Sequence, residues 1–157
     1  MREARLPDDA DELAHVYVSS ARHHAGLDPG FYRVPDAAAV ADRYRRTIGV
    51  MEDCLLVAEA DGRIVGSVWV RMMPPPSDAS MMWPIASATL DVAVLDGYRG
   101  RGIGTTLMEG AERWAHEHGA QRVQFDAAAA NEGALRWYRR RLGYRPFGVL
   151  LEKALGA

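Results

Sequence analysis

The first third of the chain has apolar residues spaced three and four apart, the spacing of a helix that packs one face against a core. The first predicted helix begins after Asp8 or Asp9, either of which can cap it, and ends in the glycine-containing segment 23–26. The second begins at Asp36 and ends at Gly49. Their inward-facing stripes are Leu13, Val16 and Tyr17 in the first helix and Val40, Tyr44 and Ile48 in the second.

The middle of the chain predicts three strands. Leu55–Ala60 and Arg63–Arg71 are rich in branched and aromatic residues, and the Asp61-Gly62 pair between them is a strong signal for an antiparallel hairpin. A third strand covers Ala88–Val94. Between the last two strands lies segment 72–83, which holds Pro74-Pro75-Pro76 and several methionines and has no regular pattern.

A glycine-rich turn follows the third strand and leads directly into a long amphipathic helix that ends near Gly119. Three further elements complete the chain: a strand at Arg122–Asp126, a helix at Asn131–Leu142 and a strand at Phe147–Glu152. The predicted order is therefore βααβββαβαβ(β), with neither an internal repeat nor a break that divides residues 1–157 into separate domains.

Composition narrows the function only slightly. The 157 residues suffice for one domain with its own core. A net charge of −2 gives no electrostatic indication that the protein binds nucleic acid or an anionic membrane. Cys54 is the only cysteine, which excludes an internal disulfide and fits a reducing compartment. Without an apolar run of membrane-spanning length or a signal-like N-terminus, the expected location is the cytoplasm.

The glycine-rich turn carries the chemistry. Gly100, Gly102 and Gly104 stand at alternate positions where the strand meets the helix, with Arg99 and Arg101 between and beside them. The first amides of a helix lack internal partners and attract anions, and glycine lets a phosphate approach the backbone. The pattern predicts a phosphate or pyrophosphate site, and the alternative is a plain tight turn with exposed arginines.

Two nucleotide-binding motifs do not fit this turn. The dinucleotide fingerprint is Gly-x-Gly-x-x-Gly, whereas here the third glycine comes one position early, and the upstream hairpin makes the sheet antiparallel where a βαβ unit is required. A kinase or ATPase phosphate loop needs Lys-Ser/Thr after the glycines, which this chain lacks.

Two segments, in the right order, resemble the GNAT superfamily of N-acetyltransferases. Arg99-x-x-Gly102-x-Gly104 resembles its pyrophosphate signature, and the segment from Asn131 to Tyr144 resembles its second motif. The resemblance extends from about Leu55 to the C-terminus. It implies an α/β fold with a mixed, mostly antiparallel sheet of six or seven strands and about four helices on its two faces.

The resemblance also implies a co-substrate and a set of roles. Acetyl-CoA donates an acetyl group to an amine without a metal or a covalent enzyme intermediate. The residues expected to bind it are Val92, Ala93 and Val94 in a bulged, splayed strand, then Arg99, Gly100, Arg101, Gly102, Ile103, Gly104 and Thr105, and finally Asn131, Ala134 and Tyr138. For catalysis, the Val94 N–H is expected to bind the oxyanion and the Tyr138 hydroxyl to protonate the leaving thiolate.

Several points stay open at this stage. The family's glutamate base corresponds to Ala88, so Asp91 is the preferred candidate, followed by Glu59, Asp126 and the His23-His24 pair, with water relays as another route. Tyr138 also fits a core stripe, and Asn131 also fits a helix N-cap. Cys54 resembles a buried apolar residue rather than a nucleophile.

The acceptor and the assembly are also open. Segment 72–83 is expected to serve as a lid over an acceptor with an apolar part, or to be a mobile loop or subunit contact. A homodimer is expected by analogy, because dimers are frequent among family members. The alternative function is a non-catalytic module that binds acyl-CoA.

Overall fold

A computed structural model describes residues 1–47 and 52–153, which form two compact units, Met1–Asp126 and a second that starts at Ala127. The strands of the first unit are β1 (Arg2–Glu3), β2 (Asp53–Ala60), β3 (Arg63–Met73), β4 (Ser87–Val94) and β5 (Arg122–Val123). Its helices are α1 (Ala10–Leu27), α2 (Ala37–Thr47) and α3 (Ile103–Glu117), and the second unit contains α4 (Glu132–Arg141).

The strands form one sheet in the order β1-β2-β3-β4-β5. The first three pairs are antiparallel, and β4 pairs with β5 in parallel. Asp61 and Gly62 join β2 to β3 with φ angles of 53° and 73°. Positive φ at both central residues matches the twist of the flanking strands and makes Asp-Gly a favoured hairpin turn.

The first unit has helices on both faces of its sheet. Val65 of β3 belongs to an apolar core that includes Leu13 and Val16 of α1, whereas a Cβ built on the neighbouring Gly66 would lie 3.0 Å from Leu107 of α3. Successive residues of a strand face opposite sides, so α1 and α3 cover opposite faces of β3. Because Gly66 has no side chain, the start of α3 can pack closely against the sheet at this position.

The structure confirms the mixed α/β fold and the order of the first nine predicted elements. The sheet has five strands in the described residues rather than six or seven, because Phe147–Glu152 forms no strand. The apolar residues of this segment alternate with polar ones only in part and are exposed. A strand requires backbone hydrogen bonds to a neighbouring strand as well as alternating apolar residues. Ile48 and Gly49 lie outside the described residues, and the single-domain organisation stays a prediction.

The predicted helix caps differ in their detail. Asp36, predicted as the first residue of the second helix, precedes α2 and caps it, since its carboxylate accepts a hydrogen bond from the Ala39 N–H at 2.9 Å. Asp9 directly precedes α1 but makes no side-chain cap bond. Its carboxylate instead accepts bonds from the Arg2 guanidinium at 2.6 Å and from the Arg5 N–H at 2.6 Å. The competing cation explains why a good capping residue does not cap here.

Candidate active site

The glycine-rich turn between β4 and α3 has a backbone that favours glycine. Gly97, Gly100 and Gly102 have φ angles of 80°, 75° and 83°, and a Cβ added to any of them would meet nothing within 4 Å. The space beside this backbone is therefore open. Gly102 is the N-cap of α3, adopts the left-handed conformation and makes no side-chain cap bond.

The start of α3 presents amide groups to this open space. The Thr106 N–H closes the first helical turn on the Gly102 carbonyl at 3.0 Å. The amides of Ile103, Gly104 and Thr105 precede that bond and belong to the first turn, whose N–H groups have no carbonyl partner inside the helix. Together with the positive end of the helix dipole, they form a site that suits phosphate.

Tyr98 fastens the turn to the β2–β3 hairpin. Its hydroxyl donates to the Asp61 carboxylate at 2.8 Å and accepts from the Arg63 guanidinium at 3.2 Å. The Arg101 guanidinium lies 5.0 Å from the centre of the same ring, within cation–π range. Sequence reasoning did not identify Tyr98 as an anchor, because Asp61 lies 37 residues upstream. The turn is thus held before any ligand arrives.

The open edge of β4 leads into this turn. The Leu95 N–H donates to the Val65 carbonyl. In an antiparallel pair the residues bonded to the neighbouring strand alternate, so this bond shows that the odd-numbered residues of β4 bond to β3 through their backbone groups. By this alternation the backbone groups of Val92 and Val94 point away from β3, and those of Ala93 point toward it. The Ala88 carbonyl, on the same side as Val92 and Val94, accepts from the Gln124 N–H beside β5.

Two features of this edge differ from expectation. The register of β4 against β3 is unbroken from Ser87 to Val94, so the expected bulge at 92–94 is absent from this pairing, and a register shift occurs instead between Ala58 and Glu59. The β4–β5 pairing covers only Ser87 and Ala88, so the edge of β4 is already open where Val92 and Val94 lie. Among the described strands none pairs with Val92 or Val94 on that side.

Asp91 is held by a cation on the α1 side of the sheet. Its carboxylate pairs with the Arg71 guanidinium at 2.8 Å, and that guanidinium lies 4.2 Å from the centre of the Trp69 ring. The Trp69 Nε1 in turn donates to the Asp53 carboxylate at 2.8 Å. A role for Asp91 as the base stays a prediction, and in this structure one of its oxygens is already engaged.

The other candidate bases are scattered through the first unit. Glu59 accepts from Arg2 at 2.6 Å, and its strand β2 is separated from β4 by β3. The His24 Nδ1 lies 2.9 Å from the Ser20 carbonyl, and His23 beside it is exposed. Asp126 is exposed and follows the end of β5. Each of them stays a candidate on sequence grounds alone.

The predicted residues of the second unit lie on or beside α4. The Asn131 side chain accepts from the Ala134 N–H at 3.2 Å, which confirms its N-cap role. Tyr138 is half-buried, with its ring centre 4.8 Å from that of Trp137 and 6.1 Å from that of Tyr144. No residue of α4 is fully buried in this structure. The cofactor roles of Asn131, Ala134 and Tyr138 stay predictions.

Cys54 is a buried core residue, as expected. Its side chain lies within β2, and burial raises the pKa of the thiol to about 11, with the nearby Glu3 adding to the effect. A thiol with this pKa is protonated at neutral pH and is a poor nucleophile.

Segment 72–83 is less irregular than predicted at its start, since Met72 and Met73 belong to β3. Its far end exposes Met81, Met82 and Trp83 fully or largely. Within residues 1–47 and 52–153, His, Cys, Asp and Glu side chains form no group of three or more that could hold a metal ion. The helices described in the same ranges are all too short or too polar to cross a membrane.

Comparisons with known proteins agree with this architecture. Residues 26–144 match the family model described as the acetyltransferase (GNAT) family. An uncharacterized N-acetyltransferase of Methanocaldococcus jannaschii is 28% identical over 87% of this chain and 57% of its own length. An N-alpha-acetyltransferase of Sulfurisphaera tokodaii is 29% identical over 63% of this chain and 60% of its own. The chain thus spans less than two thirds of either relative.

Solved structures share the fold at lower identity. A mutant of a Bacillus halodurans protein superposes with a TM-score of 0.87 at 20% identity, covering 98% of both chains. An aminoglycoside N-acetyltransferase, AAC(6')-Iy, solved in complex with CoA, superposes with a TM-score of 0.69 at 16% identity, covering 99% of this chain and 93% of its own. On the strength of the family match, the chain belongs to the acetyltransferase (GNAT) family.

Proposed function

We propose that the protein transfers an acetyl group from acetyl-CoA to the nitrogen of an amine by direct attack. Family membership supports acetyl transfer in general. The observation that carries the finer proposal is the continuity of the open β4 edge with the helix start, since the strand that offers free backbone groups leads directly into the anion site. An elongated ligand with a pyrophosphate at one end fits this arrangement.

The residues present suit such a ligand. The pyrophosphate would lie against the first-turn amides of α3, where Gly100 and Gly102 leave room for its oxygens. Arg99 and Arg101 would add positive charge, although Arg99 already donates to the Val94 carbonyl at 3.2 Å. The pantetheine arm would follow the β4 edge, where the backbone groups of Val92 can bond its amides.

Acetyl-CoA supplies the acetyl group as a thioester. The amine nitrogen attacks the carbonyl carbon, the carbonyl oxygen becomes negative, and the bond to sulfur breaks to release a thiolate. The Val94 N–H faces the open edge and is the proposed donor to that oxygen, a role worth about 3–4 kcal/mol in comparable sites. The Tyr138 hydroxyl is the proposed proton donor to the thiolate.

Holding both reactants in place supplies much of the remaining rate. Positioning of this kind contributes about 7–11 kcal/mol in favourable cases. The amine must also lose a proton, and Asp91 is the proposed acceptor, directly or through water, although its ion pair with Arg71 competes for the same oxygen.

The acceptor class does not follow from the relatives. One relative is named as an N-alpha-acetyltransferase, but the chain spans only part of its length. A structural neighbour is named as an aminoglycoside N-acetyltransferase, but at 16% identity it shows only a shared fold. Proteins, peptides and small amines therefore all belong in the test.

The test is a turnover assay that detects free CoA thiol while a panel of amines is offered with acetyl-CoA. Activity on at least one amine, reduced about 100-fold or more in Tyr138→Phe with acetyl-CoA affinity within twofold of wild type, is the expected result. Binding of acetyl-CoA without turnover on any amine would contradict the proposal and fit a non-catalytic acyl-CoA module. Full activity in Tyr138→Phe would remove Tyr138 as the acid.

A further inference from the structure

Arg43 of α2 is a cation without an anionic partner in the described part of the chain. Two other arginines of this region, Arg45 and Arg71, each bond a carboxylate at 2.8–2.9 Å, and Arg46 is exposed to solvent. Arg43 makes no such ion pair with any residue in 1–47 or 52–153, and its Nε is buried with no hydrogen-bond partner. A half-buried charge without an anionic partner is costly, and an anionic ligand that pairs with the guanidinium would offset that cost.

Two tyrosines hold the Arg43 guanidinium in place. Its central carbon lies 4.4 Å from the centre of the Tyr17 ring and 5.4 Å from that of the Tyr44 ring. Aromatic rings at these distances stabilise the cation and restrict its motion, but neither side chain is a carboxylate that could pair with its charge. A guanidinium held in this way can bind a carboxylate through two parallel bonds.

Tyr44 connects Arg43 to the predicted reaction centre. Tyr44 belongs to the apolar core on the α1 side of the sheet, and Trp69 of β3 packs against the same core and lies opposite Asp91 of β4. In agreement with this arrangement, burial raises the pKa of the Tyr44 phenol and the negative charge of Asp91 adds to the rise. Asp91 precedes Val94 by three residues on β4, which is about 10 Å along a strand. A small acceptor that reaches from Arg43 past this part of β4 to Val94 would carry an anionic group at one end and an amine at the other.

We propose that Arg43, framed by Tyr17 and Tyr44, binds a carboxylate on the acceptor, so that the protein acetylates amines that also carry a carboxylate group. The inference rests on the proposed function and names the acceptor class for it. Arg43 acts in specificity alone: it binds the acceptor, and the acetyl donor is held by the separate loop before α3.

The experiment compares ω-amino carboxylates of increasing chain length with their primary amides, which keep the amine and remove the negative charge. Wild type is expected to use at least one carboxylate with kcat/KM at least tenfold above that of its amide. In Arg43→Gln this preference should fall to within about threefold through a higher KM, with kcat and acetyl-CoA affinity little changed, because one charge-assisted contact is worth about 10- to 150-fold.

Two further variants control for structure. Arg45→Gln removes a cation two residues away on the same helix and should keep the wild-type preference. Arg43→Lys keeps the charge without the planar fork and should retain only part of it. Thermal unfolding of each variant shows whether the fold is intact, and Arg43→Lys still decides the question if Arg43→Gln fails to fold.

Each of the following results would overturn the inference. The amides match the carboxylates in wild type, or the preference survives in Arg43→Gln, or phosphate-bearing amines are used better than carboxylates with the same dependence on Arg43. If neutral amines are acetylated and carboxylates are not, the inference fails and acetyl transfer stands. If no amine is acetylated the inference falls with the transfer proposal, and titration of acetyl-CoA reports separately on cofactor binding.

Discussion

Replacing Gly102 by alanine adds one methyl group at the N-cap of α3, and Gly119 provides a matched control at the other end of the same helix. Gly102 has φ +83° and Gly119 has φ +89°, and a Cβ added to either would meet nothing within 4 Å. The two substitutions therefore share the same backbone penalty and introduce no clash in the free protein. Only Gly102 lies at the proposed phosphate site.

The shared penalty is about 1–2 kcal/mol of unfolding free energy, the cost of placing a residue with a Cβ in the left-handed region. For a chain of this length that corresponds to a fall in Tm of about 2–8 °C. The effect on binding should differ between the two variants. At Gly102 the methyl group occupies the space through which a phosphate oxygen reaches the helix amides, and loss of one charge-assisted bond of about 1.5–3 kcal/mol weakens acetyl-CoA binding about 10- to 150-fold.

Differential scanning calorimetry and titration calorimetry on the same preparations measure both quantities. We expect similar decreases in Tm for the two variants and a weakened acetyl-CoA affinity in Gly102→Ala alone, with Gly119→Ala within twofold of wild type. Equal affinity in both variants would refute the reasoning, because the open space at Gly102 would then have no part in binding. Weakened acetyl-CoA affinity in both variants would mean that backbone strain, rather than a lost phosphate contact at Gly102, reduces binding.

Three further predictions concern the Tyr98 anchor of the loop, the buried Cys54 thiol and the Arg2–Asp9 ion pair near the N-terminus. Tyr98→Phe loses the 2.8 Å hydrogen bond to Asp61 and with it about 0.5–1 kcal/mol of the free energy that holds the loop in its binding conformation. Titration calorimetry should then show acetyl-CoA affinity reduced about two- to fivefold, and unchanged affinity would mean that the bond does not hold the loop. Cys54 should react with a thiol reagent only slowly in the native protein at neutral pH and rapidly in denaturant, and fast native labelling would contradict its burial and raised pKa. The Arg2 guanidinium lowers the pKa of Asp9, so the ion pair stabilises the fold above about pH 4 and stops doing so as the pH falls further. Chemical denaturation should therefore show Asp9→Asn to be about 1–2 kcal/mol less stable than wild type at pH 7, with a smaller difference in acid. A difference that does not depend on pH would contradict this role of the pair.

The elements that sequence predicts correctly are those whose signal is local. Asp61-Gly62 identifies its own turn because both residues tolerate positive φ, and the helical spacing of Val40 and Tyr44 identifies the buried face of α2. Gly100 and Gly102 likewise mark a turn with positive φ angles from their own positions, since the glycine requirement belongs to the turn itself, whereas the anion site there stays a prediction.

What the sequence does not disclose depends on partners that are distant along the chain. The Arg122–Asp126 pattern predicts five strand residues, but only Arg122 and Val123 pair, because the sheet opens where β4 leaves β5. The partner of Tyr98 is brought to it by the hairpin, and Arg43 meets Tyr17 only because α2 packs on α1. Such contacts arise from tertiary packing and leave no periodic signal in the sequence.

Titration of acetyl-CoA into the wild-type protein and into two charge-reversal variants on the same segment tests the central claim most directly. Arg101→Glu places a negative charge beside the start of α3, and Arg113→Glu places the same charge on an exposed position toward the other end of that helix. We expect micromolar binding by wild type and by Arg113→Glu, with binding abolished or severely weakened in Arg101→Glu. No binding by folded wild-type protein, or equal binding by both variants, would contradict it.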